Sequence, residues 1–164
     1  MGAGVFAVAS IGLWSLVYLF QFNVVTEPLS IFQWHAHEMI FGYALAVVAG
    51  FLLTVVANWT GLPTSIGKPL MLMFVFWCAA RVLYIFGSEF LIVAGLCDLL
   101  FILQLLVSIT IPIIRKRLWP RMAVISKVIL LMVFNSVFLL GALGYVEEGA
   151  RIGIYGGLFL IIGL

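Results

Sequence analysis

Charge is what this 164-residue chain has least of: Asp, Glu, Lys and Arg together make up 9% of it. A soluble domain carries about 25% charged and about 45–50% apolar residues. Here 66% of residues are hydrophobic, which excludes a water-soluble domain and leaves an integral membrane protein, a single membrane domain over residues 1–164. With two cysteines, Cys78 and Cys97, both inside apolar runs, the chain has no disulfide framework to read. Its few cations form no face for nucleic acid. The opening "MGAGVFAVASIGLWSLVYLF" has no basic lead, so it reads as a spanning helix and not as a signal peptide.

Long hydrophobic runs take the place of charge. A spanning helix needs about 20 apolar residues, and six segments approach or reach that: roughly 3–22, 37–58, 69–87, 89–114, 123–145 and 150–164. The fold class is therefore all-α, a polytopic transmembrane bundle of about six spans. The last run is short and still apolar at Leu164, which reads as a truncated span. Orientation follows the basic residues. "RKRLWPR" (Arg115 to Arg121) and Lys68 fall in loops on one side, where the positive-inside rule puts the cytoplasm together with the N-terminus. Glu27, Glu89, Glu147 and Glu148 fall on the other, periplasm-like side. Trp34 reads as an outer interface anchor, Trp59 and Trp119 as inner ones, and Trp14 and Trp77 as packing residues.

The rare chemistry is concentrated. Both histidines, His35 and His37, stand one residue apart in "WHAHEM", followed by Glu38, at the outer start of the second span. Ionisable groups at membrane depth are functional candidates, and imidazole is a common ligand for iron and copper. Helical residues two apart point to nearly opposite sides, so the two imidazoles share a metal only if that stretch is extended. The favoured arrangement puts His37 in the first helical turn facing inward and His35 in the preceding loop. Glu38, held ionised by the helix N-terminus, then orients a ligating imidazole. Glu38, Gly42, Ala46, Gly50 and Thr54 follow at four-residue spacing, a small-residue face suited to close helix packing or to a flat cofactor.

Arg81 and Asp98 lie inside apolar runs, at depths of roughly 9 and 15 Å from the outer face at 1.5 Å per residue. An unpaired charge there costs about 2.5–3.5 kcal/mol or more. The two are expected to pair, or Arg81 to meet another anion such as a haem propionate.

The run "WHAHEMIFGYALAVVAGFLLTVVANWTG" closely resembles the signature of the NnrS family of bacterial membrane proteins. The resemblance implies an inner-membrane protein containing haem b and copper, with a role in tolerance of nitric oxide and nitrosative stress. Taken with the residue reading above, the candidates for cofactor binding are His35, His37, Glu38 and Arg81, with His35 and His37 as the metal-ligand candidates and nitric oxide as a ligand for the haem. The resemblance also implies a longer family pattern of which this chain is the N-terminal half, its site completed by the missing half or by a homo-oligomer. Two other readings stand beside it. One is half of a transporter in which Glu38, Arg81 and Asp98 form a polar pathway; the other is a structural membrane subunit packed through its small-residue face.

Overall fold

The computed structural model describes residues 2–20, 29–86 and 88–164, with the backbone alone at Ala3 and Ser88. Glu27 and the end of the first expected span lie outside the described residues, as does Gly87. The described residues form six helices: α1 (Gly2–Phe20), α2 (Ile31–Thr60), α3 (Lys68–Leu83), α4 (Leu91–Arg115), α5 (Met122–Ala142) and α6 (Gly149–Ile162). Short 3₁₀ turns, Ser88–Phe90 and Trp119–Arg121, lead into α4 and α5. No strand occurs among the described residues. Among the described residues, three segments are long and apolar enough to cross a membrane, Ile31–Thr60, Leu91–Arg115 and Trp119–Ala142. The other helices are shorter.

The second helix departs most from expectation. It begins at Ile31, not at 37, because Ser30 and Gln33 form a capping box. Gln33 N–H donates to Ser30 Oγ at 3.2 Å, and Ser30 N–H donates to Gln33 Oε1 at 3.1 Å. Two of the orphan amides at the helix start are thereby satisfied, and the helix runs on through both histidines. Between Glu38 and Ala44 it is wound as a π-helix, a wide turn that is rare and concentrated at functional sites. Gly61, with φ of 63°, ends α2 in the left-handed conformation that glycine adopts without penalty.

Antiparallel neighbours build the bundle: α3 packs on α4, α4 on α5, and α5 on α6, while α2 lies against α4. The π-wound segment touches α1, α3 and α6. Phe41, Leu45 and Val56 of α2, Ile102, Leu105 and Ile109 of α4, and Val128 and Leu131 of α5 form the main core. A second cluster at the histidine end gathers Trp34, Ala80, Tyr84, Ala94, Phe138 and Leu139. Trp34 is thus a packing residue and not an interface anchor, because the earlier helix start turns it inward.

Outside, the surface is apolar as well: Val47, Phe51, Leu72, Leu100, Val107 and Leu130 are all exposed. In lipid such surface gives helices no hydrophobic reason to associate, so close packing and polar bonds hold the bundle together. The α5–α6 hairpin shows the first device. A methyl group at Gly141 would stand 2.1 Å from the backbone nitrogen of Ala150, and one at Gly153 2.6 Å from the carbonyl of Phe134. Only glycine lets the two backbones meet this closely.

Candidate functional site

Polar bonds supply the second device, and they meet at one place. Arg81, from the last turn of α3, reaches α2 and α4 at once. Its Nη1 donates to Glu38 Oε1 at 2.7 Å, and its Nη2 donates to Asp98 Oδ1. His37 completes the group: a ring Nε2–H donates to Asn135 Oδ1 of α5 at 3.0 Å, with Asp98 Oδ2 at 3.6 Å, and Nδ1 lies 3.4 Å from Glu38 Oε1. Exposure is between 0 and 5% for His37, Glu38, Arg81, Asp98 and Asn135, so water does not screen these charges. Four helices, α2 to α5, each contribute at least one member.

The expected pairing of Arg81 with Asp98 is present, and Glu38 is a second anion on the same guanidinium. Both terminal nitrogens of Arg81 are engaged by carboxylates, while its Nε is buried without a hydrogen-bond partner among the described residues. The reason for Glu38's charge also changes. The helix N-terminus at Ile31 lies seven residues earlier, about 10 Å along the axis, and the dipole's influence is confined to the first turn. Arg81, not the dipole, is the group that compensates Glu38.

The backbone is shaped for this contact. A Cβ at Gly42 would fall 2.5 Å from Arg81 Nη1 and 3.3 Å from Glu38 Oε2, so the guanidinium lies directly over the glycine. Trp77 Nε1 donates to the Gly42 carbonyl at 2.8 Å, fixing the π-wound turn from the α3 side. The small face of α2 is therefore filled by an arginine at Gly42 and does not admit a macrocycle there.

His35 and His37 do not meet. Both are helical, and two residues of winding send their rings apart. Aromatic rings enclose His37, with Phe138 stacked at 4.3 Å, Tyr84 at 4.6 Å and Phe41 at 5.2 Å between centroids. His35 is half-buried and lies against Trp14 of α1, centroids 4.9 Å apart and planes 29° apart. Its Nδ1 is buried without a hydrogen-bond partner among the described residues. A haem fits these two positions differently. At His37 both ring nitrogens face oxygens and the surrounding rings leave no access, so an axial bond does not fit. At His35 a ring nitrogen is uncommitted and the ring is held in place.

Among the described residues no three His, Cys, Asp or Glu side chains converge as a metal site. Cys78 and Cys97 are free thiols. Asn135 was not anticipated from the sequence, although an amide inside "LLMVFNSVFLL" is the same signal, a polar group at membrane depth, that marked Arg81 and Asp98. Tyr84 and Phe138, which wall the cluster, carry no such signal.

No curated protein and no solved structure matches the chain. The family model described as NnrS protein matches residues 1–164. The signature around the two histidines, the helical membrane architecture and that match over the whole chain agree: the chain belongs to the NnrS family.

Proposed function

We propose that this NnrS-family chain is a haem-binding protein of the bacterial inner membrane that acts in the response to nitric oxide, with His35 as the axial ligand. The observation that supports the assignment is that His35 is a half-buried imidazole held against Trp14, with neither ring nitrogen hydrogen-bonded among the described residues. His37, Glu38, Arg81 and Asp98 have a different part: they fix α2 against α3, α4 and α5 and so hold the helix that presents His35. A bound haem would supply an iron able to bind nitric oxide. Copper, the family's other metal, is assigned to no residue, since no set of donors converges for it among the described residues. In this reading the histidine motif faces the periplasm.

The test is the absorption spectrum of the protein purified from a haem-replete bacterial host. The expected result is a Soret band that His35→Ala abolishes. His37→Ala should lower the yield of folded protein while haem per folded chain is retained. Undiminished haem in His35→Ala would remove the ligand assignment, and a folded but colourless wild type would remove the haem reading.

A further inference from the structure

Orientation in a membrane needs positive charge at one end and nothing more. The "RKRLWPR" turn between α4 and α5 supplies that charge, but two of its arginines are held in ways that charge alone does not require. Leu118 N–H donates to the Ile113 carbonyl at 3.1 Å, and Arg117 N–H donates to the Ile114 carbonyl at 3.0 Å. This pair of bonds closes a helix around one left-handed residue, usually a glycine. Helix α5 closes in the same way around Gly144, with φ of 79°. At the end of α4 that residue is Arg117, with φ of 54°. A side chain is strained in this conformation, so glycine would serve the backbone better. The arginine side chain, which is exposed, is what the position gains.

Arg121, four residues on, lies with its guanidinium over the ring of Trp59, 4.2 Å from its centre. Stacking fixes the plane of a guanidinium and leaves its N–H edge free. Arg115, Lys116, Arg117 and Arg121 are all exposed, and none forms an ion pair among the described residues. No described Asp or Glu lies at this end of the bundle. A planar donor fork held still beforehand is suited to a phosphate, which it meets through two parallel hydrogen bonds. The turn joins two segments long enough to cross a membrane, Leu91–Arg115 and Trp119–Ala142, so its donors stand at the level of the lipid phosphates. Trp119, between the two arginines, is 61% exposed, and an indole suits that same layer. Basic clusters just past a spanning helix attract anionic lipid.

We infer that the α4–α5 turn is a headgroup site for an anionic phospholipid, with Arg121 and Arg117 as its phosphate contacts and Trp119 in the interface beside them. This is independent of the haem assignment, whose histidine lies at the opposite end of the bundle.

The experiment uses the purified full chain in neutral detergent with equimolar phosphatidylglycerol and phosphatidylcholine, and native mass spectrometry counts the lipids retained. Wild type should retain phosphatidylglycerol several-fold over phosphatidylcholine. Arg121→Gln and Arg117→Gly should each lower that ratio several-fold, and Arg151→Gln, at the opposite end, should leave it unchanged. Arg117→Gly should also raise the thermal midpoint in lipid-free detergent, because it relieves the left-handed arginine; lipid preference lost from a more stable protein is not a folding defect. Inorganic phosphate in large excess should not displace the lipid. Equal retention of the two lipids by wild type, or a preference that survives both arginine variants, would overturn the site. Displacement by inorganic phosphate would overturn the lipid as its occupant, and a lowered midpoint in Arg117→Gly would overturn the reading of Arg117.

Discussion

At the scale of single residues, the energetics are dominated by a few charges that water cannot reach. Removing one partner from a buried ionic group costs about 3–5 kcal/mol, because the remaining charge is left uncompensated. Arg81 faces two carboxylates, so Arg81→Met is expected to cost at least about 3 kcal/mol. The loss should appear as a large drop in thermal midpoint in detergent. Because Asp98 shares that guanidinium, the Arg81→Met/Asp98→Leu pair should be less damaged than the sum of its single variants. Strict additivity would show that the contact carries no energy. Gly42 makes a sharper case. Its methyl variant places Cβ 2.5 Å from Arg81 Nη1, so Gly42→Ala must displace the guanidinium, at about 1–3 kcal/mol for overpacking. Gly50→Ala, eight residues on in the same helix, meets nothing within 4 Å. It should be neutral or stabilising by up to about 1 kcal/mol, the helix preference of alanine over glycine. Equal midpoints for the two variants would contradict the placement of Arg81.

At the scale of elements, hydropathy locates the helices well and their ends less well. Apolar runs mark all six because lipid-facing and core-facing residues are alike apolar, and that same uniformity erases the periodicity that would tell one face from another. The start of α2 was misplaced by six residues since hydropathy rises only after the histidines. The corrective signal, Ser30 and Gln33 three apart, is a capping pattern and not an apolar one. That one shift moves His35 from a loop to a helix, separates the imidazoles and turns Trp34 inward. The π-wound Glu38–Ala44 turn had no visible signal, since it depends on Arg81 and Trp77 arriving from α3. The pairing of Arg81 with Asp98 was legible from cost alone; Glu38 as a second partner required the fold. The α5–α6 hairpin allows a prediction of its own. Gly141→Ala would put a methyl group against backbone, which cannot rotate away as a side chain can. Limited proteolysis should then cut the Tyr145–Glu148 turn faster than in wild type, while Gly12→Ala on α1, with open space around it, should leave the rate unchanged.

At the scale of the whole molecule, the two ends of the bundle differ in charge and in anchoring, and this polarity carries the orientation. At one end lie Lys68 and the Arg115–Arg121 loop, with Trp119 exposed and the Arg121 guanidinium 4.2 Å from the ring of Trp59. Lys127 donates to the carbonyl of Gly163 at the same end, which brings the finish of α6 beside the start of α5. At the other end lie the Ser30 cap, Glu89 and the Glu147–Glu148 turn, where Glu148 pairs with Arg151 at 2.9 Å on the surface. An exposed pair of that kind is worth little to stability, whereas four basic residues in one short loop resist translocation and so decide which end stays in the cytoplasm. The basic end should therefore be cytoplasmic and the histidine end periplasmic. Cysteine substitutions at positions 33 and 116, in a background with Cys78 and Cys97 replaced by alanine, test this with a membrane-impermeant maleimide on intact cells. Labelling is expected at 33 in intact cells and at 116 only after permeabilisation. Labelling of 116 from outside would invert the molecule. The haem reading would then place its ligand on the cytoplasmic side.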